Sequence, residues 1–212
     1  MKEWLIKMKK DSKITTQFEI EDKELSWEEL STEHIIQDEW IDFRRSTYRF
    51  PDGSIVEPFY TFSRKDYVII VASDTEGNYL CVRQFRQGIK EVTTEFPAGC
   101  IEQKDSKNSD MSKKSLSEIA LQTAKRELRE ETGYESEEWE PLLIVPSNAT
   151  IADNYAYLFV AKNCRKISEQ SLDETEFMNV KKLTAKEIET LIAEGNFQQA
   201  DHIVAWLLAL RR

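Results

Sequence analysis

The chain has 212 residues, enough for one domain with a small appendage, and its 40% hydrophobic content can fill a proper core. Thirty-nine acids against 29 bases leave a net charge of −10, which argues against a general nucleic-acid binder or a binder of anionic membranes. Cys81, Cys100 and Cys164 are odd in number, widely spaced and without a CxxC pair, so they read as reduced thiols of a cytoplasmic protein.

Residues 1–25 are charged and weakly patterned, and read as a loosely docked extension. Strand-like runs at 34–36, 40–48 and 55–62 predict a small β subdomain over 26–63, with Pro51-Asp52-Gly53 as a turn. The remainder, 64–212, reads as the main domain. Runs at 67–71 and 79–85 flank a hairpin turn at 74–78. A helical pattern from about Ser115 to Thr132 turns Ile119, Ala120, Ala124 and Leu128 towards a core. Strands follow at 142–145 and 155–161, with a weaker one at 178–183. Helices at about 185–194 and 198–212 close the chain, the last with an apolar stripe of Ile203, Leu207 and Leu210. Strands, one charged helix, more strands and then helices suit an α+β sandwich. No run approaches the roughly 18 apolar residues of a membrane span, and the first ten residues lack the apolar segment of a leader.

The helix at 115–132 carries the chemistry. Six of the seven residues from Lys125 to Glu131 are charged. Helical geometry places Glu127, Glu130 and Glu131 on one face. Three carboxylates converging there repel unless a cation sits between them, and a hard divalent ion such as Mg²⁺ takes oxygen ligands. Gly133 supplies the permissive backbone that ends a helix. The alternative is an exposed helix laced with i,i+4 charge pairs. His34 and His202 are the only histidines, so histidine-based metal or triad chemistry has little to use.

Gly99, in Glu95-Phe96-Pro97-Ala98-Gly99, and Glu118 extend the pattern. The whole resembles the signature of the Nudix hydrolase family: Gly, five residues, Glu, seven residues, Arg-Glu-apolar-x-Glu-Glu-x-Gly-apolar. Every position from Glu118 to Tyr134 matches. The front departs, since 13 extra residues separate Gly99 from Glu118. The inserted stretch, about 103–117, is polar and reads as a surface excursion. Val82-Arg83-Gln84-Phe85-Arg86-Gln87-Gly88 followed by 95–99 looks like the ADP-ribose pyrophosphatase and nucleoside-diphosphate-sugar branch.

That resemblance implies a mixed sheet flanked by helices, an α/β/α sandwich preceded by the small β subdomain. It further implies a Mg²⁺-dependent (or Mn²⁺-dependent) pyrophosphohydrolase that cleaves ADP-ribose, the leading substrate, or a related nucleoside diphosphate sugar to a nucleoside monophosphate and a sugar phosphate, and a homodimer built through the N-terminal strands. Glu127 and Glu131 would be metal ligands, Glu130 a third or water-mediated one, and the Ala98 carbonyl would complete the shell. Arg126 would hold carboxylates in place, with Glu118 as its partner. Arg86 matches a phosphate-contacting arginine, and Arg83 is a second candidate. Phe59 and Tyr60 lie where rings could stack on a base, although ordinary strand packing is the favoured explanation. The general base is expected from the acidic loop at 172–177, with Glu176 matching more directly than Glu174. ADP-ribose enzymes of this branch carry a proline sixteen residues beyond the box glycine, and here that position is Ala149. GDP-mannose, another nucleotide sugar or a dinucleoside polyphosphate therefore stays open as substrate. A non-catalytic module sensing nucleotide sugars is the rival reading.

Overall fold

The structure is a computed structural model that describes residues 22–102 and 116–212. Most of the expected extension at 1–25 and of the insertion at 103–117 lies outside the described residues. The rest falls into two compact units, the first running to Arg64 and joined by Asn148–Asn154, the second formed by Lys65–Ser147 and Tyr155–Arg212.

The first unit is a three-stranded antiparallel sheet in the order β1-β2-β3, with β1 at Glu28–Gln37, β2 at Asp42–Arg49 and β3 at Ile55–Ser63. The expected 51–53 turn joins β2 to β3: Gly53 has φ +85° and donates to the Phe50 carbonyl at 2.9 Å. Trp27, Tyr48, Phe50 and Phe59 pack ring against ring, with centroids 4.2–6.0 Å apart. Every residue of β1 is exposed, which a sheet this small cannot avoid. The 148–154 segment is fastened to the same unit: Phe62 donates to the Ile151 carbonyl at 2.8 Å, and Arg44 meets Asp153 at 2.8 Å.

The second unit holds β4 (Tyr67–Asp74), β5 (Tyr79–Arg86), β6 (Glu91–Glu95), β7 (Ala98–Cys100), β8 (Tyr134–Glu135), β9 (Glu138–Pro146), β10 (Tyr155–Lys166) and β11 (Met178–Leu183). Its helices are α1 (Leu116–Thr132), α2 (Ala185–Ala193) and α3 (Ala200–Ala209). The sheet runs β11-β5-β4-β10-β8, with β6 on β5, β7 on β4 and β9 on β10. Strands β4 and β10 are parallel and the other pairs antiparallel, so the sheet is mixed. Strand alternation sorts the core into two layers. Val68, Ile70 and Ala72 meet Ala120, Ala124 and Leu128 of α1 on one face. Ile69 and Val71 meet Ile188, Ala205 and Trp206 of α2 and α3 on the other. Both faces of β4 are covered, which is why it reads as a continuous apolar run.

The weak run at 178–183 is a full strand, paired with Tyr79–Gln84. The short β6 and β7 were not expected. The stripe assigned to the last helix needs correction, because Leu207 and Leu210 are 53% and 49% exposed while His202, Ala205 and Trp206 are buried. That helix is apolar nearly all round, so its period does not set the face; the bulk of Trp206 against Tyr79 and Phe96 does. Ile119 is half-buried beside its buried neighbour Ala120.

Candidate active site

The C-terminus of α1 is pinned by the segment after β10. Gly133, at φ +76°, ends the helix, and a Cβ there would lie 3.0 Å from the Ser168 carbonyl carbon and closer to its oxygen. Ile167 donates to the Gly133 carbonyl at 2.9 Å. The Ser171 N–H donates to the Glu130 carbonyl at 2.8 Å, and Gln170 Nε2 to the Glu131 carbonyl at 2.7 Å. Carbonyls that a helix end leaves unpaired are thereby satisfied, and the rotation of α1 is set.

That rotation carries Glu127 and Glu131 inward against β7. Glu131 is buried, and its Oε2 accepts the Ala98 N–H at 3.0 Å. The Glu127 carboxyl occupies the space a side chain at Gly99 would need, 2.5 Å from an added Cβ to Oε2 and less to Cδ and Oε1. Arg126 reaches Glu127 Oε1 at 2.8 Å, Glu130 Oε2 at 2.7 Å and the Cys100 carbonyl at 3.4 Å. Burial pushes the Glu127 carboxyl up to about 7, with Glu130 and Glu176 adding repulsion against the pull of Arg126. Burial and the Glu127 charge push Glu131 well above the carboxylate range, and Glu176 adds to it.

Across from α1, the guanidinium of Arg86 grips buried Glu95 bidentately, Nε to Oε1 at 2.9 Å and Nη2 to Oε2 at 2.5 Å. Thr93 Oγ1 and Gln199 Nε2 also donate to Glu95 Oε1. Burial alone would raise the Glu95 carboxyl, but Arg86 and Thr93 outweigh it and hold it below the usual range. The Arg86 charge is felt at Glu131. Arg83 donates to Thr94 Oγ1 at 2.8 Å instead.

The expected residues thus divide. Arg126, Glu127, Glu130, Glu131, Ala98 and Arg86 come together, and Glu176 is near enough for its charge to raise both buried carboxyls. Its Oε2 also accepts the Asp173 N–H at 3.0 Å, closing the loop before β11. Glu174 and Glu118 are exposed. It is the N–H of Ala98 that faces Glu131. Phe59 and Tyr60 belong to the first unit, where Phe59 packs among the rings and Tyr60, 46% exposed, stacks on Phe43. Glu95 was assigned no role from sequence; its signal was an acid two residues before the Pro97-Ala98-Gly99 turn, at the end of a strand.

Among the described residues, no three His, Cys, Asp or Glu side chains already stand in metal-ligating geometry; Arg126 holds Glu127 and Glu130 to itself. The donor chemistry nevertheless fits a hard divalent cation. The Glu127 and Glu131 carboxyls are buried at 7% and 2% exposure, burial raises the proton affinity of both, and the Glu127 charge raises that of Glu131 further. Two positive charges near a buried anionic pair are the remedy such an arrangement calls for.

Residues 63–207 match the NUDIX domain. The methanol dehydrogenase activator of Bacillus methanolicus is 32% identical over 139 residues, 65% of this chain and 68% of that protein. An ADP-ribose pyrophosphatase of Bacillus subtilis (strain 168) is 26% identical over 171 residues, 80% of this chain and 85% of its own. Another from Mycobacterium tuberculosis (strain ATCC 25618 / H37Rv) is 28% identical over 155 residues, 72% and 68%. Among solved structures, that of an ADP compounds hydrolase superposes with a TM-score of 0.72 over 88% of this chain and 93% of the other at 17% identity, a likeness of fold.

Proposed function

The chain belongs to the Nudix hydrolase family, and from that premise we propose that it is a Mg²⁺-dependent pyrophosphohydrolase cleaving ADP-ribose, or a related nucleoside diphosphate sugar, into a nucleoside monophosphate and a sugar phosphate. The observation that carries this reading is the buried pair Glu127 and Glu131, held against Ala98-Gly99 with Arg86 opposite. A bound divalent cation supplies charge relief for the phosphoryl oxygens and lowers the pKa of a coordinated water. Glu127 and Glu131 would hold it, with Glu130 and the Ala98 carbonyl completing the shell. Arg126 keeps Glu127 and Glu130 aligned through a guanidinium fork. Arg86 binds an oxygen of the diphosphate, and Glu176 takes a proton from the attacking water. Mn²⁺ suits the same oxygen donors.

The two ADP-ribose pyrophosphatase relatives support the substrate class. The exposed β1, with Leu30, Ile35 and Ile36 open to solvent, supports a homodimer through the N-terminal strands, and Tyr60 offers the freer ring for base stacking. No helix among the described residues is long and apolar enough to cross a membrane, and a cytoplasmic location is part of the same reading. The decisive experiment is formation of nucleoside monophosphate, separated from substrate by chromatography, from a panel of ADP-ribose, nucleotide sugars and dinucleoside polyphosphates with and without Mg²⁺. Metal-dependent turnover, fastest on ADP-ribose, is expected; no metal-dependent turnover on any nucleotide refutes the reading. A second role, activation of a dehydrogenase, is favoured by the relative named methanol dehydrogenase activator. It is tested by adding the protein with Mg²⁺ to a methanol dehydrogenase and following turnover.

A further inference from the structure

We propose that Glu95 is a positioning residue for Arg86: it fixes which edge of the guanidinium is offered to the diphosphate. This deepens the hydrolase reading above and rests on it. A guanidinium carries five N–H donors in a rigid plane. Glu95 takes the edge formed by Nε and Nη2, at 2.9 and 2.5 Å. The two donors on Nη1 have no hydrogen-bond partner among the described residues, and the Arg86 side chain is 34% exposed. One edge is therefore tied down inside the protein and the other left open, and the charge of Glu131 is felt at Arg86.

The clamp is itself built to stay still. The Glu95 side chain is 0% exposed. Thr93, its neighbour on the same face of β6, donates to Oε1, as does Gln199 at the N-terminus of α3, at 3.4 Å. The next residue, Phe96, donates its N–H to His202 Nδ1 at 3.2 Å and lies parallel to the imidazole, so strand and helix hold the backbone at this point. Thr93 and Gln199 fill the lone pairs that any buried carboxylate must have satisfied, whereas the open edge left on its arginine partner is no requirement of fold stability. The arrangement instead resembles a hinge pin, since an arginine on the strand end β5 would otherwise swing through several rotamers.

The test compares Glu95→Gln, Arg86→Lys and Arg86→Ala, alone and as Glu95→Gln with Arg86→Ala, in steady-state hydrolysis of the best substrate of the wild type. Glu95→Gln keeps the shape but loses the charged clamp, and kcat/KM is expected to fall roughly 10- to 100-fold, mainly through KM. In the Arg86→Ala background the same change is expected to have less than about a twofold further effect, because there is nothing left to position. Arg86→Lys keeps the charge but cannot make the bidentate contact, and is expected to lose nearly as much as Arg86→Ala. Should Glu95→Gln fail to fold, Arg86→Lys with Thr93→Val carries the same comparison. Losses that simply multiply in the double variant, or wild-type kcat/KM in Arg86→Lys, overturn the positioning role. A wild-type protein that turns over no nucleotide overturns the hydrolase reading, and the positioning role with it.

Discussion

Gly99→Ala isolates the geometry of the site. The added Cβ would stand 2.5 Å from Glu127 Oε2 and closer to Cδ and Oε1. Ordinary contact needs about 3.5 Å, so the carboxyl must move by about 1 Å or more. Gly99 has no left-handed φ, so the backbone itself accepts alanine. What gives way is the end of a flexible side chain, and the cost in stability is expected near the lower limit for overpacking, about 1 kcal/mol. A reacting geometry displaced by about 1 Å costs on the order of 100-fold in rate, or about 2.7 kcal/mol of barrier. Function should thus suffer more than stability. The assay pairs kcat/KM over a Mg²⁺ titration with urea unfolding, and uses Gly88→Ala, where an added Cβ meets nothing within 4 Å, as the neutral control. Wild-type kcat/KM and metal dependence in Gly99→Ala would refute the placement of Glu127 in the site. So would an equal loss in Gly88→Ala.

Glu176→Gln should lower kcat at least tenfold while Glu174→Gln leaves it within about twofold, because only Glu176 reaches the buried carboxyls electrostatically; wild-type turnover in Glu176→Gln removes it from the mechanism. Burial lifts Glu127 from 4.5 to about 7, so between those values the folded protein keeps a proton the unfolded chain has lost, and stability falls as pH rises. In EDTA, wild type should therefore lose about 3 kcal/mol relative to Glu127→Gln across that window, with Mg²⁺ restoring part of it above pH 7; parallel unfolding curves would contradict this. Thr184→Ala removes the hydroxyl that accepts the Glu187 N–H in the α2 capping box, while the backbone N–H at 184 keeps its bond to Glu187 Oε2, and should cost about 1 kcal/mol without changing KM, measured by urea unfolding and steady-state kinetics. Ala149→Pro should raise the preference for ADP-ribose over other nucleotide sugars, and an unchanged ratio across the substrate panel would show that this position does not shape the choice.

Much of the site was readable because it is local. Glu127, Glu130, Glu131 and Arg126 sit within one and a half turns of α1, and helical spacing alone puts them near one another. Gly99 and Gly133 were readable as the two glycines of the signature, and the structure requires them for different reasons. Gly133 needs its positive φ, while Gly99 needs only the absence of a Cβ where Glu127 packs. The buried face of α3 was not legible, since a helix of apolar residues has no unique stripe until Trp206 meets Tyr79 and Phe96. Nor was the weakness of 178–183 informative, because β5 supplies the pairing its own residues do not advertise.

The sequence by itself determined the family, the α/β/α plan that the family implies and the order of charges on one helix, because those depend on spacing along the chain. Tertiary structure alone decided that Glu127 and Glu131 are buried deeply enough to raise their proton affinity, and that Glu176 and not Glu174 is felt there. It also decided that Arg86 is gripped by Glu95, nine residues away and on a neighbouring strand. Desolvation and the orientation of a guanidinium are properties of the surroundings in space, and no local pattern of residues encodes them.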